Sequence, residues 1–269
     1  MSLNLVIHQL PSSLGDKNEN IIRADTAIKK FRLKNPALHL FPELYVTGYS
    51  CGRSFRKLAE TASGPAVSKI TRSLDEGTLV LVGMPEKDPF ENKVYNSALA
   101  INRFGIVAKY RKIYLPEFWV FREKEIFSRG DAPCVMDVKG VKIGLQICYD
   151  INFPELSRVE ALRGAEMIVV VSATPKESIP RFKTLMKARA IENQCFMVYV
   201  NKVGVEDKII FGGNSMVVAP DGEILLELDD KDASSVCKLD FKMVSEARSK
   251  IPLLKDAETT SFKELNQCF

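Results

Sequence analysis

Three residues with reactive side chains follow predicted strands at widely separated points of this chain. They are the carboxylic acid Glu43, the amine Lys112 and the thiol Cys148. In α/β proteins the ends of neighbouring strands are where ligands and catalytic groups are placed. We therefore expect these three side chains to meet, and a carboxylate, an ammonium and a thiol form a set that could attack a carbonyl carbon.

Each of the three groups has a plausible part in such chemistry. A free thiol, with a pKa of about 8.5, is only slightly ionised at neutral pH and needs a base. A glutamate such as Glu43 can serve when burial raises its pKa, and a lysine such as Lys112 can stabilise the oxyanion that forms. A helix predicted to open at Pro154 lies just after Cys148 and favours the thiolate through its N-terminus.

The elements that must position these residues alternate between strands and helices. Apolar residues recur at helical spacing in four segments, and roughly a dozen short apolar or alternating runs are typical of strands. No linker, repeat or low-complexity tract separates them. We expect one α/β domain over residues 1–269, with two sheets packed face to face and helices outside.

Composition excludes several classes of protein. Of the 269 residues, 46% are hydrophobic and 27% charged, which is typical of a globular protein. A net charge of +4 gives no electrostatic footprint for nucleic acid. No apolar stretch approaches the roughly 18 residues that span a bilayer, and the N-terminus does not resemble a signal peptide. We therefore expect a cytoplasmic protein that binds neither nucleic acid nor membranes.

Cysteine and histidine usage indicates no metal site or cofactor. The six cysteines contain no Cys-x-x-Cys pair, so zinc ribbons and thioredoxin-like motifs are not expected. The two histidines, His8 and His39, lie in apolar segments and are interpreted as core or strand-end residues. Spacing alone leaves open a Cys148–His39 dyad, although such a dyad gives Glu43 and Lys112 no role.

A serine nucleophile is also considered. The segment Gly48–Gly52 matches Gly-x-Ser-x-Gly, but an α/β-hydrolase needs its histidine after the serine and both histidines precede Ser50. The segment Ser54–Lys57 matches Ser-x-x-Lys without the partner motifs of that class. We interpret the first as a glycine-rich turn and the second as a helix surface.

Taken together, six segments make the chain resemble the nitrilase superfamily of carbon–nitrogen hydrolases. They are spread over nearly the whole chain and are specific only in combination. The segments are Phe41–Tyr49 (FPELYVTGY), Tyr110–Pro116 (YRKIYLP), Gly144–Asp150 (GLQICYD), Phe153–Glu155 (FPE), Arg189–Asn193 (RAIEN) and Phe211–Ser215 (FGGNS).

The resemblance implies a four-layer α-β-β-α sandwich with a Glu-Lys-Cys triad and no cofactor. Glu43 is then the general base, Lys112 the oxyanion stabiliser and Cys148 the nucleophile, with the backbone N–H of Tyr149 as a second oxyanion donor. It also implies a homodimer or a larger homo-oligomer.

The resemblance further implies a second buried glutamate after the lysine. Glu123 and Glu117 are the candidates, and Glu123 is preferred because Phe121–Lys124 looks like the family's segment. One departure is Asn152, which stands where the family often has an arginine, so an arginine contact to substrate is not expected from that position.

The substrate class follows from the residues after the nucleophile. Nitrilases usually carry Trp-Glu there, whereas this chain has Tyr149 and Asp150, which is similar to the amidase and N-carbamoyl branch. We expect hydrolysis of a small amide or N-carbamoyl compound. A nitrile substrate, an acyltransferase and a non-catalytic member of the fold remain as alternatives. Trp119 and Phe121 could line the pocket or serve as interface or core aromatics.

Overall fold

A computed structural model describes residues 1–32 and 37–257 of the chain. Within them lie fourteen strands and six α-helices. The strands are β1 (Ser2–Gln9), β2 (Ala37–Leu40), β3 (Thr78–Lys87), β4 (Val94–Asn102), β5 (Gly105–Arg111), β6 (Cys134–Val138), β7 (Val141–Ile147), β8 (Met167–Ser172), β9 (Phe196–Asn201), β10 (Val203–Glu206), β11 (Ile209–Gly212), β12 (Met216–Val218), β13 (Ile224–Glu227) and β14 (Ala233–Asp240). The α-helices are α1 (Lys17–Lys30), α2 (Phe55–Leu58), α3 (Pro65–Ser73), α4 (Pro154–Leu162), α5 (Ile179–Asn193) and α6 (Lys242–Lys250).

Two six-stranded mixed sheets form the centre of the molecule. The first has the order β14-β1-β2-β3-β4-β5, and the second has the order β13-β12-β9-β8-β7-β6. In each sheet three neighbouring strands are parallel, β1-β2-β3 in the first and β7-β8-β9 in the second, and antiparallel strands flank them. Strands β10 and β11 form a separate hairpin.

The alternation of side chains along the strands explains the layers. On β3, Leu79 and Leu81 belong to the apolar cluster that also contains the strands of the second sheet. The neighbouring residues Val80 and Val82 point to the opposite face, into a second cluster with residues of α1 and α3. Helices α4 and α5 cover the second sheet. The expected α-β-β-α sandwich is confirmed.

The helices begin where the sequence favours a helix start. The side chain of Asp16 accepts a hydrogen bond from the Glu19 N–H at the start of α1, with an N–O distance of 3.0 Å. Helices α3 and α4 have proline in their first turn, where a missing N–H has little cost. Alternating helices and parallel strands bring the strand ends of the two sheets together.

Candidate active site

The three reactive residues expected to meet lie at strand ends in the interior. Lys112 directly follows β5, Cys148 directly follows β7, and Glu43 lies three residues after β2. Their exposed fractions are 1%, 8% and 0%. Such burial of two ionisable side chains and a thiol is unusual unless the groups are paired.

Glu43 is held by three donors that come from both sheets. Its Oε1 accepts from Lys112 Nζ at 2.7 Å and from Asn96 Nδ2 at 2.7 Å, both in the first sheet. Its Oε2 accepts from the Ala173 N–H at 2.9 Å, just after β8 of the second sheet. The carboxylate therefore bridges the two sheets in one fixed orientation.

Glu123 is the second glutamate beside the lysine. Its Oε1 lies 2.7 Å from Lys112 Nζ, and its side chain is 3% exposed. Glu117 instead lies at the surface, where its carboxylate accepts from the backbone N–H of Lys124. The other oxygen of Glu123, Oε2, is buried and has no hydrogen-bond partner among the described residues. A free buried acceptor of this kind is suited to a donor on a bound molecule.

The charges of this cluster do not cancel. Burial alone would lower the pKa of Lys112, but the Glu123 and Glu43 carboxylates together raise it, so the amine stays protonated. Burial raises the pKa of Glu123 to about 7, against the opposing effect of Lys112. One cation therefore faces two carboxyl groups, Glu43 and Glu123.

Cys148 lies at a sharp turn between β7 and a short 3₁₀ helix, Cys148–Asn152. Its φ of 47° is in the left-handed region, which a non-glycine residue adopts at a cost. The thiol Sγ lies 3.7 Å from Thr174 Oγ1. This turn points the thiol toward the groups that follow β8.

The thiol of Cys148 is neutral, in line with the expectation that it needs a base. Burial and the Glu43 carboxylate raise the pKa of Cys148 to about 12, although Lys112 acts in the opposite direction. The thiol is therefore neutral and needs a base at the moment of attack.

Asp150 supports the turn that carries Cys148. Its Oδ2 accepts from the Ile147 N–H at 2.9 Å and from the Tyr110 hydroxyl at 2.8 Å. Its Oδ1 accepts from the Tyr114 N–H at 3.0 Å. Because Tyr110 and Tyr114 flank Lys112 in the chain, Asp150 couples the position of the thiol to that of the amine.

Tyr149 directly follows the thiol and has a half-buried side chain. Its backbone N–H has no acceptor within residues 1–32 and 37–257, so it is free to bind an oxyanion. Its ring contacts Phe118 and Phe153, with centroids at 5.4 and 5.3 Å. A surface cavity of about 450 Å³ is lined by the side chains of these three residues and neighbouring ones. Aromatic side chains thus line a cavity beside Tyr149, the residue that follows Cys148.

The two aromatic residues proposed for the pocket differ in position. Phe121 is 8% exposed and packs against Tyr49, with ring centroids 6.0 Å apart. Trp119 is 58% exposed and touches Phe121 from outside. Phe121 is thus an interior aromatic next to the site, and Trp119 lies on the loop above it.

An arginine does lie near position 152, although it comes from another element. The Arg181 guanidinium, in the first turn of α5, donates a hydrogen bond to Asn152 Oδ1. Asn152 also donates to the Tyr149 carbonyl at 2.8 Å. A positive charge is therefore present at this place despite the missing family arginine.

Four residues at the site escaped the sequence interpretation, and only tertiary contacts reveal them. Asn96 is a polar residue in an apolar strand, which is a weak signal. Asp150 and Tyr49 stood inside recognised motifs without a role. The four residues are Tyr49, Asn96, Asp150 and Thr174.

The alternative nucleophile systems find no support in the geometry. His39 Nδ1 lies 2.9 Å from His8 Nε2, and both rings are buried, as expected for core residues. Ser50 Oγ donates to the Glu206 carbonyl at 3.4 Å.

Within the described part of the chain, no cluster of three or more His, Cys, Asp or Glu could hold a metal. The same part contains no helix that is long and apolar enough to cross a membrane.

Sequence comparison connects this geometry to known proteins. A family model described as carbon–nitrogen hydrolase matches residues 6–249. An (R)-stereoselective amidase from a Pseudomonas species is 34% identical over 95% of this chain and 91% of its own length. An omega-amidase from Saccharomyces cerevisiae is 29% identical over 98% of this chain and 96% of its own.

Structural comparison gives the same result. A CN-hydrolase superfamily protein from Xanthomonas campestris superposes with a TM-score of 0.88 at 25% identity, covering 96% of this chain and 98% of that one. A double mutant of an amidase from Nesterenkonia sp. AN1, in complex with acrylamide, gives a TM-score of 0.82 at 25% identity over 98% and 97% of the two chains. The family model, the amidase relatives and these folds agree, and the chain belongs to the carbon–nitrogen hydrolase family of the nitrilase superfamily.

Proposed function

We propose that this chain hydrolyses a small amide or N-carbamoyl compound through a thioester on Cys148. The observation that carries the proposal is the position of Lys112 Nζ, 2.7 Å from both Glu43 and Glu123 in the interior. A buried ammonium between two carboxylates, next to a thiol, is costly for the fold. That cost has a functional explanation when the cluster performs acyl transfer.

In the first half of the reaction Cys148 Sγ attacks the carbonyl carbon while Glu43 takes the thiol proton. Lys112 Nζ and the Tyr149 N–H stabilise the oxyanion of the tetrahedral intermediate. The C–N bond then breaks, Glu43 gives its proton to the leaving nitrogen, and ammonia or an amine departs. General-base assistance contributes about 10²–10⁴-fold in rate, and one oxyanion donor about 10²–10³-fold.

In the second half water replaces the amine. Glu43 removes a proton from the water, whose oxygen attacks the thioester carbon, and Lys112 again stabilises the oxyanion. Collapse of this intermediate breaks the C–S bond, releases the carboxylic acid and returns the proton from Glu43 to the thiolate. The cycle needs no metal and no organic cofactor.

The free oxygen of Glu123 favours amides over nitriles. This buried Oε2 lacks a donor among the described residues, and an unpaired buried acceptor is unfavourable. An amide or carbamoyl nitrogen brings N–H groups that can fill this position, whereas a nitrile nitrogen brings none. The relatives named as amidases support the same substrate class.

An ammonia-release screen tests the proposal. Purified chain is incubated with aliphatic amides, ω-amides of dicarboxylates, N-carbamoyl amino acids and nitriles. We expect ammonia from at least one of the first three groups and none from nitriles. Cys148→Ala is the blank, and Cys237→Ala, which alters a half-buried thiol on β14, is the matched control and keeps activity.

A second pair of variants separates the triad from a histidine mechanism. Glu43→Gln is expected to abolish turnover because it removes the base, whereas His39→Gln is expected to retain it. If His39→Gln lost activity and Glu43→Gln kept it, the base would be assigned to His39 and not to Glu43. Equal turnover by Cys148→Ala and the parent chain would remove the thioester from the mechanism.

Location and assembly are part of the same proposal. All five cysteines in the described residues are free thiols, which favours a reducing compartment such as the cytoplasm. We propose a homodimer or larger homo-oligomer, because the outer helices expose Leu162 and Ile191 at 46% and 49%. Light scattering on the eluting peak of a sizing column measures the mass directly. A monomer at micromolar concentration contradicts this part.

A further inference from the structure

Tyr49 is a polar side chain at the site that the proposed reaction does not use. Its hydroxyl donates to Glu123 Oε1 with an O–O distance of 2.6 Å. Its ring lies between Phe121 and Phe211, with both centroids 6.0 Å away and the ring planes near perpendicular. The side chain is thus fixed in direction as well as in place.

A buried ion pair fixes the backbone of the same residue. Glu206 Oε2 accepts from the N–H groups of Tyr49 and Ser50, at 2.7 and 2.9 Å. Glu206 also pairs with Lys202, and the two side chains are 3% and 1% exposed. Lys202 directly precedes β10 and Glu206 is the last residue of that strand, and the pair has no part in the proposed chemistry. Its evident effect is to hold the loop that presents Tyr49.

The consequence for Glu123 follows from counting donors. Lys112 Nζ and the Tyr49 hydroxyl both donate to Oε1, from two directions. With Lys112 alone, the carboxyl group could turn and share both of its oxygens with the ammonium. Two donors on one oxygen leave Oε2 as the free acceptor, which agrees with its lack of a partner among the described residues.

We propose that Tyr49 is a positioning residue of this hydrolase, whose hydroxyl holds Glu123 ionised with Oε2 directed at the nitrogen of the substrate. The inference rests on the proposed function and deepens it. Removing the hydroxyl weakens the carboxylate form of Glu123 and releases its orientation. Burial and Glu123 raise the pKa of Tyr49 well above its usual range, so the hydroxyl remains a donor at all working pH values.

Tyr49→Phe tests the inference because it keeps the ring between Phe121 and Phe211 and removes one oxygen. A hydrogen bond to a charged group is worth at least about tenfold in an equilibrium constant. We therefore expect the acid limb of the kcat/KM profile to move up by about one pH unit. At pH 7 we expect kcat/KM to fall about fivefold, because a pKa that moves up by about one unit from about 7 lowers the ionised fraction of Glu123 from about a half to about a tenth, and we expect most of this loss to be recovered at pH 9.

The loop provides a matched control in Tyr45. This tyrosine is also buried, but its hydroxyl has no hydrogen-bond partner among the described residues. Tyr45→Phe removes the same atom from the same loop, and we expect its pH profile to coincide with that of the parent. Circular dichroism and thermal melting confirm that both variants are folded.

A readout without substrate separates this inference from the proposed function. Infrared difference spectra between pH 5 and 9 follow the protonated carboxyl band of Glu123, which is identified by its absence in Glu123→Gln. We expect its midpoint to rise by about one pH unit in Tyr49→Phe and to stay in place in Tyr45→Phe. An unmoved midpoint in folded Tyr49→Phe overturns the inference, whatever the activity. If the midpoint shifts but the chain hydrolyses no amide, the effect of Tyr49 on Glu123 is supported. The proposed function is refuted in that case.

Discussion

Lys112 carries one positive charge between two buried carboxyl groups, and this imbalance governs the chemistry at the residue scale. A thiol beside a net negative cluster gains nothing from ionising early, which agrees with the raised pKa of Cys148. A preformed thiolate and ammonium pair is therefore not the resting state. In the proposed mechanism, proton transfer to Glu43 therefore accompanies the attack on the substrate.

Replacement of Lys112 tests this charge arrangement. Lys112→Met leaves Glu43 and Glu123 buried without their cation, so we expect a loss of about 3–5 kcal/mol in the free energy of unfolding. Loss of the oxyanion donor should lower kcat by at least about 10²-fold. Urea denaturation and steady-state kinetics measure the two effects. Unchanged stability in Lys112→Met contradicts the arrangement.

A triple variant is the control for the preceding prediction. Adding Glu43→Gln and Glu123→Gln to Lys112→Met removes the uncompensated charges. We expect recovery of part of the lost stability and none of the activity. A triple variant as unstable as Lys112→Met would show that packing, and not charge, causes the loss.

Ionisation of Glu123 as the pH rises should change activity and stability in opposite directions. Its pKa rises from 4.5 to about 7 on folding, so the folded chain retains a proton that the unfolded chain releases in this window. Its stabilising contribution is fully present below pH 4.5 and is lost as the pH rises through 7. The accepting form of Glu123 is the ionised one, so kcat/KM should rise over the same range.

Parallel profiles of melting temperature and kcat/KM from pH 5 to 8 measure this opposition. Glu123→Gln should make both profiles depend less on pH, because it removes the carboxyl group that titrates. If the activity of the parent chain falls as the pH rises from 6 to 8, the ionised state assigned to Glu123 is wrong.

At the scale of elements, the site depends on turns that join strand ends. Asp150 ties the turn after β7 to the chain on either side of Lys112, because its two carboxylate oxygens accept hydrogen bonds from three donors. Gly83 on β3 allows the loop of Glu43 to lie close, since a Cβ there would be 2.4 Å from the Leu44 N atom. These contacts set the distances between the residues proposed to be catalytic.

Asp150→Asn tests the turn. An amide has one acceptor oxygen in place of two, so at least one of the donors to Asp150 loses its partner. We expect kcat to fall by about tenfold or more, with a smaller change in KM, because the thiol and the amine lose their alignment. Asp137→Asn is the matched control and should have no effect, because Asp137 has an exposed side chain near the end of β6. Equal kcat values in both variants would deny Asp150 this role.

Most elements could be predicted from periodicity, and the failures have physical reasons. The strands after which the reactive residues lie are short apolar runs, so their ends were visible in the sequence. Strand β14 was missed because it is polar and largely exposed, and only its antiparallel pairing with β1 makes it a strand. The β10–β11 hairpin and α6 were missed for similar reasons, since their apolar faces are small.

The site was also predictable only in part, because several of its residues act through tertiary contacts. Glu43, Lys112 and Cys148 stood out by residue type at strand ends, whereas Asn96 and Tyr49 act through partners 53 and 74 positions away. No local pattern encodes such contacts. The need of the Cys148 thiol for a base was expected from its residue type, whereas the upward shift of its pKa depends on burial and on neighbouring charges.

At the scale of the whole molecule, two sheets of similar topology face each other and share one core. The buried histidine pair joins β1 to β2, with His8 Nδ1 also 2.9 Å from Ser234 Oγ on β14. Burial lowers the pKa of His39 to about 4 and that of His8 well below its usual value, where His39 adds to the effect. Both rings are therefore neutral in the folded chain at neutral pH.

Acid should destabilise the fold through this pair. The unfolded histidines have a pKa of 6.5, so the stabilising contribution is fully present above pH 6.5 and is lost as the pH falls toward 4. We expect the histidine contribution to the melting temperature to fall over this range, so the melting temperature of His39→Gln should decrease less with falling pH than that of the parent chain. Thermal melts at intervals between pH 7 and 4.5 measure both slopes. Identical slopes for the variant and the parent would exclude the histidines as the cause.

Intact-protein mass spectrometry after acid quench tests the proposed reaction most directly. The chain is mixed with an amide that it hydrolyses, stopped within the first turnover and digested for peptide mapping. The account predicts an added mass equal to the acyl group, located on Cys148, removed by hydroxylamine and absent in Cys148→Ala. An acyl group on another residue, or normal turnover by Cys148→Ala, would contradict it.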